Sequence, residues 1–148
     1  VEKSYFQTNH SIFYRTKKMG PVHPASCPNL YVENKLSFFN FINFHKSLIE
    51  SSNKNIGKFS GPVFLFGAHI FSQYLINFGL DTSKISYILE NNTDKQGKRL
   101  YGTNLMVNSP KILREAKKPA VILRAGIYNN EIKEDILNNI NSNVEFWE

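Results

Sequence analysis

The sequence predicts an α/β fold: a small parallel sheet with helices on both faces, preceded by an N-terminal strand and loop and one long helix. An alternating pattern in the sequence leads to this prediction. From Gly61 onward, short continuous apolar runs alternate with segments of helical periodicity. Apolar runs of this kind are typical of strands buried on both faces, and strands joined by helices imply a parallel sheet with right-handed crossovers.

The first elements of this sheet follow one another closely. "PVFLF" at 62–66 predicts a buried strand, and 69–78 predicts a helix that ends at Gly79. "KISYIL" at 84–89 predicts the second strand. The polar residues 90–104 that follow are rich in Asn, Asp and Gly, so they predict a loop.

The remaining elements continue the alternation. "LMV" at 105–107 predicts a short strand, and Ser109 followed by Pro110 predicts the start of a helix. "AVILRA" at 120–125 predicts another buried strand. An amphipathic helix over 129–140 and a final strand, "VEFW", at 144–147 complete the predicted sheet.

The first sixty residues have a different character. "SIFYRTKKM" at 11–19 predicts a strand, and the three prolines of 20–30 predict an irregular loop. Residues 32 to about 52 predict a long helix packed on the sheet, with "SNKNIGKFSG" at 52–61 as a linker. The predicted organisation is therefore an N-terminal part, 1–60, and a sheet domain, 61–148, in one compact unit. The apolar stripe predicted for the helix is Leu36, Phe38, Phe39, Phe41, Ile42, Phe44, Leu48 and Ile49.

Composition and charge narrow the class of protein. A chain of 148 residues with 41% apolar content suits one globular domain, which buries roughly two-thirds of its unfolded surface. Most of the +6 net charge lies before Gly61, and only Arg15, Lys17 and Lys18 cluster. This distribution favours a solvated basic surface, or attraction to an anionic ligand, over a nucleic-acid interface.

The chain also lacks the apolar runs of a membrane span or signal peptide, so we expect a soluble, cytoplasmic protein without a membrane partner. The single cysteine, Cys27, permits no internal disulfide. Because the sequence begins with Val1, we expect a processed product or a C-terminal piece of a longer chain. Whether the protein forms a homo-oligomer is left open.

Candidate binding residues lie just after the predicted strands, because open parallel sheets bind ligands beyond their carboxyl strand ends. Gly67 would let a ligand approach the backbone at the start of a helix, although single glycines at such turns are also common for steric reasons. Glu90 stands where an acid can meet a ribose hydroxyl, or simply cap the loop. The candidate substrate-binding residues are Gly67, Ala68, His69, Glu90, Asn91, Lys95, Arg99, Tyr128, Asn129 and Glu131.

Other chemistries find little support. The four histidines are far apart, with no i, i+4 pair, so no metal site is predicted. No serine has a Gly-x-Ser-x-Gly setting, which argues against a hydrolase. His10 is a weak candidate for a catalytic base.

The ordered motifs "FLFGA", "ILENNTDKQGKRLYGT", "SPKIL" and "VILRAGIYNNEI" resemble the C-terminal Rossmann-like domain of S-adenosylmethionine-dependent C-methyltransferases, notably those acting on nucleotide-linked deoxysugars. The resemblance covers roughly 61–148. It implies that this domain holds the nucleotide-sugar acceptor, whereas an earlier domain of the same parent chain holds the methyl donor. This chain alone would then bind no cofactor and be inactive, whereas the parent enzyme would use S-adenosylmethionine.

The resemblance also assigns individual residues. It places Gly67 and Ala68 at the loop facing the substrate nucleotide, Lys95 and Gln96 in a K-Q-G element, and Tyr128, Asn129 and Glu131 in a Y-N-x-E-I element. Glu90 stands where the family more often has aspartate, and bulky His69 and Phe71 replace smaller residues. The family's Tyr-x-Glu-His catalytic stretch is reduced to His10 in "TNHSIFY".

Three functions therefore stay open. The leading hypothesis is an acceptor-binding C-terminal domain of a methyltransferase. The alternatives are a stand-alone sugar-nucleotide-binding module and a structural or oligomerisation domain without an active pocket.

Overall fold

The computed structural model describes residues 2–6, 11–18, 20 and 28–148. The chain divides into two compact units, Val1–Phe39 and Asn40–Glu148, which are described separately. The predicted proline-rich loop at 20–30 falls largely outside the described residues, as do Cys27 and His10.

The first unit contains a two-stranded antiparallel hairpin. Strand β1 (Glu2–Phe6) pairs with β2 (Ser11–Arg15), so that Ser4 faces Phe13. The sequence predicted β2 but not β1, because "EKSYF" carries only two apolar residues and no continuous run. Helix α1 (Tyr31–Lys58) begins in this unit and continues into the second.

Helix α1 extends beyond its predicted end, so the prediction of a linker at 52–61 is wrong as far as Lys58. Ile49, Ser52 and Ile56 recur at helical spacing and are buried, which carries the helix through this polar stretch. Asn53 ties it down, since its Nδ2 donates to the Gly79 carbonyl (2.8 Å) and its Oδ1 accepts from the Asp81 N–H (2.7 Å). These contacts outweigh the weak helix propensity of the serine and asparagine residues around them.

The second unit is a five-stranded parallel sheet, as predicted. Its strands are β3 (Val63–Phe66), β4 (Ile85–Leu89), β5 (Val107–Asn108), β6 (Ala120–Leu123) and β7 (Glu145–Trp147). Their spatial order is β5-β4-β3-β6-β7, and every neighbouring pair is parallel. The chain builds outward from β3 to β5 and then crosses back to β6. The strand order therefore reverses between β3 and β6.

Helices cover both faces of this sheet. On the first face, Val63, Leu65 and Ile122 pack with Ile56 of α1 and with Leu75 of helix α2 (Ile70–Asn77). The second face packs against a 3₁₀ helix (Pro110–Glu115) and helix α3 (Asn129–Asp135), which continues as a π-helical turn over Ile136–Ile140. Its buried residues include Phe64, Phe66, Leu113, Val121, Leu123 and Ile136.

Local signals explain several of these elements. Ser109 caps the 3₁₀ helix, with its side chain accepting from the Lys111 N–H (3.3 Å), and Pro110 begins it, as predicted. The predicted stripe of α3 is confirmed: Ile136 is buried, and Ile132, Leu137 and Ile140 pack against the same core. The stripe of α1 is confirmed only in part: Ile49 is buried and Ile42 and Leu48 are half-buried, whereas Leu36 and the four phenylalanines of the stripe are exposed.

Candidate functional site

The carboxyl ends of β3, β4 and β6 meet at one edge of the sheet. Phe66 is in register with Leu89 of β4 and with Leu123 of β6, so the residues that follow these strands begin side by side. Strand order reverses between β3 and β6, and open α/β sheets bind ligands in a crevice at such a reversal, beyond the carboxyl strand ends. We call this region the strand-end site.

The turn after β3 depends on glycine. Gly67 has φ +103°, a backbone conformation that side-chain-bearing residues rarely adopt. A Cβ atom at this position would collide with Nε2 of His69, whose imidazole fills that space. The Ser72 hydroxyl donates to the Gly67 carbonyl (2.5 Å), and the Gly67 N–H donates to the Leu89 carbonyl (2.7 Å). Hydrogen bonds to both α2 and β4 therefore hold the turn in place.

Glu90, directly after β4, links the two central loops. Its Oε2 accepts from the Ala68 N–H (3.0 Å), and its Oε1 accepts from the Asn92 N–H (3.1 Å). Lys95 Nζ lies 3.3 Å from the same Oε2, and the Glu90 side chain is only 13% exposed. Of the two roles left open for Glu90, a ribose contact or a cap of the loop, its hydrogen bonds are those of a cap that joins the loop to the neighbouring turn.

The pKa of Glu90 reflects these contacts. Burial acts to raise it, but hydrogen bonds from the Asn92 and Ala68 N–H groups, together with Lys95, outweigh burial and hold the pKa of this carboxyl below its usual 4.5. Glu90 is therefore ionised at neutral pH.

The K-Q-G element closes the loop over the strand ends. Lys95 Nζ donates to the Ala68 carbonyl (3.0 Å), and Gln96 Nε2 donates to the Glu90 carbonyl (2.8 Å). Gly97 has φ +74°, and its N–H donates to the Val107 carbonyl (2.9 Å). This element holds the loop against β3, β4 and β5.

A family model described as "C-methyltransferase C-terminal domain" matches residues 38–146, a span that contains every one of these contacts. The chain belongs to this family. The resemblance to a C-methyltransferase C-terminal domain is confirmed and reaches back into helix α1. Comparison with curated proteins and with solved structures yields no match in either set.

The loop after β6 of this C-methyltransferase C-terminal domain carries the Y-N-x-E-I element. Asn129 Oδ1 accepts from the Ala125 N–H (2.8 Å), which fixes the loop against the start of α3. Tyr128 and Glu131 are exposed at the same helix start. Gly126 has φ +63°, which lets the chain turn back towards α3.

Sequence reasoning missed Arg124, the residue directly after β6. Its Nε and the Nδ1 of His69 are the two buried side-chain nitrogen or oxygen atoms without a hydrogen-bond partner in the described part of the chain. The available signal was a charged residue ending a continuous apolar strand, "AVILR". Burial lowers the pKa of Arg124 below its usual value, although nearby Glu148 acts to raise it.

His69 occupies a mixed environment. Burial lowers the pKa of His69 below its usual 6.5; Glu90 acts to raise it, and Lys95 lowers it. Its ring meets Phe71 edge-on, with 5.6 Å between ring centroids. The two bulky residues noted in the sequence are therefore in contact beside the turn.

The structure brings most of the predicted residues to the strand ends, but not all of them. Gly67, Ala68, His69, Glu90, Lys95 and Gln96 share direct contacts. Asn91 is exposed in the same loop. Arg99 lies elsewhere: it bridges Met106 in an antiparallel hairpin that returns towards the amino end of β5, where residues 99–104 line a concavity of about 650 Å³. His10 lies outside the described residues.

Across the described ranges, no three His, Cys, Asp or Glu side chains are grouped so that they could hold a metal ion. None of the helices in the described part of the chain is both long and apolar enough to cross a membrane.

Proposed function

We propose that this C-methyltransferase C-terminal domain binds a nucleotide-sugar-like acceptor, and that a separate domain of the parent enzyme supplies S-adenosylmethionine. Alone, the chain binds the acceptor and does not transfer a methyl group. The hydrogen bond that Glu90 accepts from the Ala68 N–H is the observation on which this assignment of acceptor and methyl donor to separate domains rests.

Because of this hydrogen bond, the strand-end site differs from the kind of site that binds a methyl donor. A Rossmann-type site holds a nucleoside with an acid after its second strand and with free N–H groups at the turn after its first. In the described sheet, the corresponding groups are Glu90 and the N–H groups of Gly67 and Ala68, and these are bonded within the chain. The described residues therefore do not fit the methyl donor.

The remaining groups support an acceptor role. Lys95, with its side chain 43% exposed, lies in the loop after β4, exposed Tyr128 lies just before α3, and exposed Glu131 lies in the first turn of α3. They offer a cation, an aromatic ring and a carboxylate to a polar ligand. A shallow site of this kind suits a ligand that is shared with a second domain.

Helix α1 supports the presence of a partner domain. The segment 36–45 contains no charged residue, and Phe41 and Phe44 are 58% and 61% exposed. Their rings contact His45, with centroid separations of 4.4 and 5.4 Å. A helix that is apolar on several sides is stable when a neighbour covers it. The proposed neighbour is the methyl-donor domain of the parent chain.

Calorimetric titration tests the division of labour. We expect the chain to bind a nucleotide sugar with a dissociation constant in the micromolar to millimolar range, about −4 to −8 kcal/mol, and to show no measurable heat with S-adenosylmethionine. Tight binding of S-adenosylmethionine would contradict the proposal. Absence of nucleotide-sugar binding, with a correctly folded chain, would favour the structural or oligomerisation alternative.

A further inference from the structure

Phe71 places an exposed aromatic ring beside the strand-end site. It lies in the first turn of α2, directly after the turn that joins β3 to this helix. Helix α2 buries Ser72 and Leu75, whereas Phe71 is 55% exposed. Much of the Phe71 ring therefore remains accessible to a ligand.

A contact with His69 orients this ring. The imidazole meets the Phe71 ring edge-on, with the ring planes 85° apart and the centroids 5.6 Å apart. This is a favourable aromatic geometry, and because the rings are almost perpendicular, the imidazole covers at most one face of the Phe71 ring. His69 is itself placed by the turn, since its imidazole fills the space in which a Gly67 side chain would lie. With more than half of Phe71 exposed, one ring face is left for a ligand.

A cation lies close to the same turn. Lys95 Nζ donates to the Ala68 carbonyl at 3.0 Å, and Ala68 directly precedes His69 in the chain. An ammonium group has three N–H donors, and Ala68 and Glu90 accept from two of them, which leaves one for a ligand. The Lys95 side chain is 43% exposed. The accessible groups on this side of the strand-end site are thus an aromatic ring and a positive charge.

We propose that Phe71 is the stacking platform for the nucleobase of the nucleotide-linked acceptor. A nucleotide matches an aromatic ring beside a cation, because its base is flat and its phosphate is negative. Stacking on an aromatic side chain is favourable for every base, so Phe71 strengthens binding without selecting one base. The inference deepens the proposed function and rests on it for the identity of the acceptor.

The other exposed aromatic residues of α2 are arranged differently. Tyr74 and Phe78 are each 50% exposed, and their rings stack on one another, with centroids 6.0 Å apart and planes 25° apart. Phe78 caps the carboxyl end of α2, the end opposite to the strand-end turn. Of these three rings, Phe71 is therefore the one placed to meet a ligand at the strand ends.

Titration with uridine monophosphate, adenosine monophosphate and ribose 5-phosphate tests the platform, because the third probe lacks a base. Phe71→Ala is expected to weaken binding of both nucleotides about tenfold and that of ribose 5-phosphate less than twofold. Phe71→Tyr keeps the ring and should bind both nucleotides about as tightly as wild type. Phe71→Leu keeps apolar bulk without a flat ring, so it should weaken both nucleotides. Phe78→Ala is the matched control on the same helix, with an expected change in nucleotide affinity of less than twofold.

NMR of the Phe71 ring protons gives a second readout, which a purely structural role would not produce. A base that stacks on the ring shifts these protons upfield through its ring current. Saturable upfield shifts are therefore expected with both nucleotides and not with ribose 5-phosphate. The ring protons of Phe78 should remain unchanged with all three probes.

The outcomes separate the platform from the proposed function. Nucleotide affinity that Phe71→Ala leaves unchanged, or that Phe78→Ala lowers equally in a folded chain, would overturn the platform; binding of a nucleotide sugar would then leave the proposed function intact. Equal weakening of nucleotides and ribose 5-phosphate by Phe71→Ala, or absence of nucleotide binding by the folded wild type, would also overturn the platform. A chain that binds both nucleotides through Phe71 but does not bind nucleotide sugars would support the platform and contradict the proposed acceptor.

Discussion

Replacing Gly67 with valine is expected to lower the free energy of unfolding by about 3 kcal/mol or more, the largest effect of any substitution considered for this domain. Two costs combine. The φ of +103° is strained for any residue with a side chain, and the added atoms collide with the His69 imidazole. Gly67→Ala carries both costs with fewer atoms, so about 2 kcal/mol is expected. Urea unfolding of the variants measures these differences.

A double-mutant cycle separates the two costs. In a His69→Ala background the collision is relieved, so Gly67→Ala should lose only the backbone term, about 1–2 kcal/mol. Gly57→Ala is the matched control, because Gly57 lies in the last turn of α1 and a Cβ there would meet nothing within 4 Å. Its expected effect is neutral or slightly stabilising. If Gly67→Ala were as mild as Gly57→Ala, the described turn would be wrong.

Glu90→Gln is expected to destabilise the domain by about 1.5–3 kcal/mol at pH 7. The amide keeps one acceptor oxygen, so one of the N–H groups of Ala68 and Asn92 loses its partner, and the attraction to Lys95 disappears. The exposed Glu134, changed to glutamine, is the matched control, with an expected effect within about 0.5 kcal/mol.

The pH profile of this variant has a defined sign. The pKa of Glu90 is lower in the folded chain than its usual 4.5, so its contribution is fully present above that value and is lost as the pH falls through the folded pKa. His69 also costs stability on acidification, and Glu90 acts to raise its pKa, so the two proteins are compared in a His69→Gln background, where this contribution is absent. The difference between wild type and Glu90→Gln should therefore shrink below pH 4.5. Parallel curves down to pH 3 would contradict the role given to Glu90.

Much of the fold was predictable because the second unit has strong local signals. Continuous apolar runs gave β3, β4 and β6, and Ser109 with Pro110 gave the cap of the 3₁₀ helix. Strand β1 and the last turns of α1 were not predictable in this way. Both depend on partners distant in sequence: β2 pairs with β1, and the 79–81 turn holds Asn53.

The grouping of the candidate residues at the strand ends was predictable, but the hydrogen bonds between them were not. The rule that ligands bind beyond the carboxyl strand ends selected Gly67, Glu90 and Lys95. No sequence pattern indicates that Glu90 is bonded to Ala68, because that bond depends on the packing of two loops. Arg124 was missed for a related reason: its partial burial depends on the packing around the carboxyl end of β6, which no local pattern reveals.

An NMR titration of the amide groups tests the central claim most directly, because it reports which loops each ligand contacts. With a nucleotide sugar, saturable shifts are expected for the amides of 67–69 and 124–129, on either side of the β3–β6 crevice. With S-adenosylmethionine, the same amides should remain unchanged. Saturable shifts of Ala68 and Glu90 on addition of S-adenosylmethionine, or a nucleotide sugar that perturbs none of the strand-end amides, would contradict the assignment of this domain to acceptor binding.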